Sequence, residues 1–470
     1  LKKYTIHTHS IHYIADTVTP VALYLKLRDK FPGTLMLESA DYHAVDNSYS
    51  YIAIDPIASF TCYGKKVEIC EPDGSIYPKP ITAAKNLLQE LRSFMNIFDM
   101  QEEVESKIAR AFFGYISYNA VPHFEDIQLK TTEQSRTIPV AIYKLFRFVI
   151  AINHFKDEMY LYENSIVGQE NSEITSNVIE AIIRNKNIPK YPFKLNGTEH
   201  ANCSDEYFLK ILKQGQWHCF RGDVFQIVLS RRYSQSFTGD DLNVYRALRS
   251  INPSPYLFYY DFGYFRLFGS SPEAQLVIND NEATIFPIAG TFKRTGNDAA
   301  DKALAQQLFD DPKENAEHVM LVDLARNDLN RSCTNVSVEK FKEIQFYSHV
   351  IHLVSKVKGM LNPGTDKLQL IADTFPAGTL SGAPKYKAMQ IIDALEADSR
   401  GFYAGCVGVL HADGDFNHAI MIRSFLSKDN MLHYQAGAGV VAKSKPESEL
   451  QEVHNKLGAL RHAMVKAEKI

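Results

Sequence analysis

The sequence predicts an α+β protein of two lobes, mainly antiparallel sheet with helices outside it. Three observations lead there. At 470 residues the chain exceeds what one ordinary core fills. Its strand-like stretches come in runs rather than in strict alternation with helices. The stretch RNKNIPKYPFKLNGTEHANCSD (Arg184–Asp205) is polar, holds two prolines and a glycine, and interrupts the periodicity on either side. It divides the sequence into an N-terminal lobe over 1–190 and a C-terminal lobe over 200–470, and leaves open whether the two interleave in space.

Taken in order, Ile57–Cys70 and Val140–Asn164 read as strand pairs, the second turning at 153–157. Ile81–Met95 has helical spacing between them, and the small, aromatic Ala111–Val121 reads as packed. Ser204 can cap a helix whose first turn holds Asp205 and Glu206. Val224–Phe237 reads as a strand and Leu257–Phe292 as several strands joined by tight turns. Two further helices are expected, from Pro312 to about 331 and from about Pro446 to 466.

Composition excludes several classes. Apolar residues make up 45% and charged residues 23%, and 51 basic side chains against 55 acidic ones leave a formal charge of −4. Neither a nucleic-acid partner nor a membrane surface is expected from that balance. No apolar run approaches the roughly 20 residues of a membrane span, and LKKYTIHTHS lacks the apolar core of a signal peptide. Six scattered cysteines without CxxC or zinc spacing read as reduced thiols of a cytoplasmic protein.

The most informative motif is a pair of Glu-x-x-Glu steps. Glu314 and Glu317 lie on the first of the two late helices, Glu449 and Glu452 on the second. A three-residue step puts both side chains on one helical face. If the helices face each other, four carboxylates meet, and a hard divalent cation or protons must neutralise them. Each helix also has a plainer reading. Acids favour any first turn, and Glu452 with Lys456 is an ordinary i,i+4 pair. Between the helices lie small-residue loops, FPAGTLSGAPK (Phe375–Lys385) and QAGAGVV (Gln435–Val441), whose N–H groups can approach an anion or simply turn the chain. His352 alternates along an apolar strand, and Arg423 sits in AIMIRSF (Ala419–Phe425), read as an otherwise apolar strand, where a guanidinium calls for a carboxylate.

These stretches, with PIAGT (Pro287–Thr291), DPKENAEHVMLVDLARNDLNR (Asp311–Arg331), SHVIHLVS (Ser348–Ser355) and RGFYAG (Arg400–Gly405), stand in one order in the C-terminal half. In that order they resemble the chorismate-utilising enzyme family. The resemblance implies a large α/β sandwich and a Mg²⁺-held chorismate. It implies Glu317 and Glu452 as the metal ligands, with Glu314 and Glu449 completing the acidic shell. It also implies His352 as the base, Glu273 with Thr291 on the acid side, and Gly290, Thr291, Thr379, Tyr403, Arg423, Gly437, Ala438, Gly439 and Lys456 around the substrate.

Two positions choose among the family's reactions. Water-activating relatives carry a lysine where this chain has Gln226, and an amide is a poor general base. Members of the aminodeoxychorismate, folate-directed branch commonly carry PIKGT, whose lysine stands where this chain has Ala289. Both point to ammonia as nucleophile and to the anthranilate-forming branch, with the folate branch as the alternative. A binding homologue without turnover is the non-enzymatic alternative. LMLESAD (Leu35–Asp41) and INPSPYLF (Ile251–Phe258) resemble the tryptophan-binding elements of that branch, which implies tryptophan as inhibitor at Ser39, Pro255, Tyr256 and Leu257. Leu257 stands where Met is common, and Ala419 where some relatives have Cys. No amidotransferase elbow (GxCxG) is present, so the resemblance implies a separate glutamine amidotransferase subunit and a heterotetramer.

Overall fold

A computed structural model describes residues 2–39, 48–81, 86–100, 106–130, 138–168, 175–347 and 350–470, with only the backbone at Asn86 and Thr291. Ala40 and Asp41 of the first tryptophan-like element, and Ser348 and His349 of the histidine stretch, lie outside the described residues.

Two large sheets face each other. The first runs, neighbour by neighbour, through Phe193–Ala201, Gln226–Gly239, Met431–Val440, Ser424–Lys428, Phe265–Ser271, Tyr256–Asp261 and Leu35–Glu38. It continues through the first half of Tyr49–Cys62, the second half of Ala141–Asn153, then Glu158–Ile166 and Tyr4–Ile14. The second sheet takes the other halves of those two long strands and continues through Phe112–Ile116, Cys406–Leu410, Phe416–Ile420, Ala274–Asn279 and Glu282–Ile285. It ends on Val350–Leu361, flanked by Ile288–Lys293 and Cys333–Phe346. All these pairings are antiparallel. The long strand Tyr49–Cys62 can serve both sheets because it bends at Asp55, whose φ is 59°, beside a bulge between Pro56 and Ala58.

Strand periodicity explains the layers. Leu35, Ala53, Phe258 and Tyr260 point between the sheets, while their neighbours Met36, Ile52, Leu257 and Tyr259 point outward beneath helices. The outer face of the first sheet is covered by helices that include Asp205–Arg221, Leu242–Ile251, Lys385–Leu395 and Pro446–Ala467. Asn86–Met95, Pro312–Asn330 and Lys367–Thr374 pack on the second. The result is an α+β sandwich of helix, sheet, sheet and helix.

Two expectations need correction. Arg184–Asp205 is not a bare linker, since Phe193–Ala201 is a strand on the sheet edge. Only Phe193 of that strand is buried, so its composition resembles a loop. AIMIRSF is not one strand either. The chain leaves the second sheet at Ile420, turns through Arg423 with φ 48°, and enters the first sheet at Ser424. The two halves of the sequence also interleave, because Leu35–Glu38 pairs with Tyr256–Asp261 and Phe112–Ile116 with Cys406–Leu410.

Candidate active site

The site collects where the two late helices end against the sheets. Asp311 starts the first of them by accepting hydrogen bonds from the N–H groups of Lys313 at 2.8 Å and Glu314 at 3.0 Å. The cap holds the first turn, and with it Glu314 and Glu317, at the open end. His318, Leu321, Val322 and Ala325 are buried further along the helix, and the three-, four- and seven-residue steps from Glu314 and Glu317 put the two acids on that same side. On the last helix Val453, Leu457, Leu460 and Met464 anchor the apolar stripe, and Glu449 is buried at its start.

The acids of the two helices sense each other. Burial raises the Glu314 carboxyl, and the charges of Glu317 and, across the gap, Glu452 add to it. Burial likewise raises Glu449, against a hydrogen bond from Ser444, with Glu452 adding. Gln226 donates its amide N–H to Glu317 at 3.0 Å. Lys456 pairs with Glu452 at 2.7 Å and donates to the Gly437 carbonyl at 2.9 Å. Among the described residues, no group of three or more His, Cys, Asp or Glu side chains is close enough to ligate one ion. The donor set still fits Mg²⁺. It offers oxygen ligands only, from facing helices, and Mg²⁺ commonly takes one or two carboxylates and keeps its waters.

Glu273 sits between the strands Phe265–Ser271 and Ala274–Asn279, 8% exposed. Thr379 donates its hydroxyl to Glu273 at 2.9 Å. Burial pushes this carboxyl up to about 8, and the Thr379 bond and the charges of Arg423 and Lys456 pull only partly against it. His352 is the opposite case. Burial, helped by the Arg423 charge, brings its imidazole down to about 4. Its Nδ1 lies 2.8 Å from the Gly290 carbonyl, which can only accept. Nδ1 therefore carries the proton, and the basic lone pair is on Nε2. Near pH 7 the site holds a neutral carboxylic acid and a neutral imidazole.

Gly290 makes that imidazole contact possible. It occupies a bulge between Ala289, opposite Leu353, and Thr291, opposite His352, with φ 67°. A Cβ there would stand 2.6 Å from Leu308. Gly437 and Gly439 share one face of their strand, while Ala438 turns its methyl into the core. A Cβ on Gly439 would fall 2.5 Å from the Gln226 amide, and one on Gly437 would fall 3.2 Å from the Tyr403 hydroxyl. Arg423 donates to Asn252 at 3.3 Å.

The two inhibitor-like elements lie side by side. Leu257 is paired opposite Glu38, next to Ser39, and Pro255 and Tyr256 are half-buried beside them. Leu257 itself points into the core. Glu38, buried, is held by Tyr245 at 2.6 Å and by the Arg249 guanidinium at 3.0 Å. Sequence reasoning missed Glu38, although it lies within LMLESAD, and Asn252, which links the second element to Arg423.

The chain belongs to the family described as chorismate binding enzyme, which matches residues 34–462. Its relatives within that family carry a more particular name. Anthranilate synthase component 1 of Aquifex aeolicus is 36% identical over 97% of this chain and 94% of its own length. The crystal structure of anthranilate synthase component I from Streptococcus pneumoniae superposes with a TM-score of 0.76 at 30% identity, covering 95% of this chain and 98% of that one. The menaquinone-specific isochorismate synthase of Escherichia coli shares the fold, with a TM-score of 0.73 at 19% identity over 98% of this chain and 95% of that one.

Proposed function

We propose that this chain forms anthranilate and pyruvate from chorismate and ammonia, as the large component of a cytoplasmic, two-component enzyme inhibited by tryptophan. The observation that carries the reading is the complementary pair of a buried carboxyl held near pH 8 and an imidazole held near 4. The names of the relatives support the same reaction.

Arg423 and Tyr403 hold the enolpyruvyl carboxylate, and Thr379, Lys456 and the backbone of Gly437–Gly439 line the ring. Glu317 and Glu452 would hold Mg²⁺, with Glu314 and Glu449 around it, and the ion would supply positive charge for the ring carboxylate. Gln226, with its N–H committed to Glu317, presents an amide oxygen that accepts from ammonia and orients it. Ammonia adds at C2 while Glu273 protonates the departing C4 hydroxyl, which leaves as water. His352 Nε2 then takes the C2 proton, the C3–O bond breaks, and enolpyruvate leaves to become pyruvate. Aromaticity drives this second step. Ala289 offers no amine to compete as nucleophile.

His352→Ala separates the two steps. The variant should consume chorismate and accumulate the aminated, non-aromatic intermediate, detected by mass spectrometry. Wild-type rates of anthranilate release would remove His352 from the base role.

A further inference from the structure

One fully buried ion pair has no part in that chemistry. Arg400 is 2% exposed and Glu396 4%. Arg400 meets Glu396 through both nitrogen edges, Nε at 3.0 Å and Nη2 at 2.6 Å. Its remaining donors reach far beyond the pair. Nη1 donates to the Leu380 carbonyl at 2.6 Å and Nη2 to the Val228 carbonyl at 2.7 Å. The guanidinium also lies against two rings, 5.0 Å from the centre of Tyr118 and 5.8 Å from that of Tyr403. Glu396 in turn accepts from the Ser230 N–H at 2.8 Å and its hydroxyl at 2.7 Å, and Gln435 donates to that hydroxyl at 2.7 Å.

We propose that the Arg400–Glu396 pair is a positioning device for the substrate cradle, holding the strand of Gln226, the turn of Thr379 and the ring of Tyr403 about one guanidinium, with the glycine strand joined to it through Gln435 and Ser230. The register supports this. Val228 and Ser230, the two residues gripped, are paired directly opposite Gly439 and Gly437. Leu380 follows Thr379 directly, and Tyr403 is three residues beyond Arg400. One guanidinium donates at once to the Glu396 carboxylate and to two backbone carbonyls, so the fork geometry of arginine matters and a lysine cannot reproduce it. A buried pair is weak grounds for stability, since well-packed apolar residues often replace one without loss. What apolar residues cannot replace is the set of carbonyl contacts that aligns the cradle.

The proposal rests on the chorismate reading, and the test separates the two. Arg400→Lys, Ser230→Ala and the double variant Arg400→Met with Glu396→Leu are compared with wild type by thermal unfolding and steady-state kinetics. The expected result for the double variant is a kcat/KM for chorismate lower by about ten- to a hundredfold, carried by a raised KM. Its pH profile should keep both limbs, with any displacement confined to the alkaline one, because Thr379 hydrogen-bonds Glu273 while His352 is held by Gly290. Arg400→Lys should move KM the same way. Ser230→Ala, which keeps both charges and removes only one hydroxyl, should raise KM about severalfold, with thermal unfolding reporting that it is folded. A merely structural pair would lower the amount of active enzyme, hence kcat, at unchanged KM. Wild-type KM in Ser230→Ala and Arg400→Lys would overturn the proposal. A wild-type enzyme inert towards chorismate would instead overturn the reading on which it rests.

Discussion

Glu273 and His352 show how burial sets chemistry at single residues. Both are buried, and burial disfavours charge, so the carboxyl rises while the imidazole falls. The reaction needs the acid protonated and the base neutral. The rate, expressed per free NH₃, should therefore rise as pH passes about 4 and fall as it passes about 8. Glu273→Gln should abolish the alkaline limb and lower kcat by about 10²- to 10⁴-fold. An alkaline limb that persists in this variant would assign the falling limb to another group. Residue types are legible in the sequence here, since the family resemblance implies both Glu273 and His352. Their protonation states are not, because burial is set by segments more than 60 residues away, such as Gly290 and Thr379.

Helices and strands decide which residues meet. The start of the first late helix follows from Pro312, and the buried stripe of the second from the spacing of Val453, Leu457 and Leu460. That their acids face one another does not, since neither helix carries a mark of its partner. If the facing acids hold the ion, Glu317→Gln and Glu452→Gln should each shift the Mg²⁺ activation curve to higher concentration by about ten- to a hundredfold. An unchanged titration in both would remove them as ligands. Arg423 shows the limit of strand reading. Met421 and Phe425, on either side of the turn through Arg423, are both buried, so alternation alone cannot reveal where one sheet hands over to the other. The edge strand Phe193–Ala201 was hidden for the converse reason, being almost wholly solvated.

At the scale of the whole molecule, the sandwich was legible as α+β and antiparallel, but its interleaving was not. Long-range pairings such as Leu37 with Phe258, or Gly114 with Gly408, depend on bends no local pattern encodes. The same scale bears on the source of nitrogen. Burial raises the thiols of all six cysteines, so none is poised as a thiolate nucleophile. The purified chain should use ammonium salts and leave glutamine untouched, and glutamate release from glutamine by this chain alone would contradict that expectation. The most direct test of the central claim is incubation of the purified chain with chorismate, Mg²⁺ and ammonium. Anthranilate fluorescence and enzymatically assayed pyruvate are read together. Equal formation of both is the predicted result, and chorismate consumed to an aminated product without pyruvate, or not consumed at all, would contradict it.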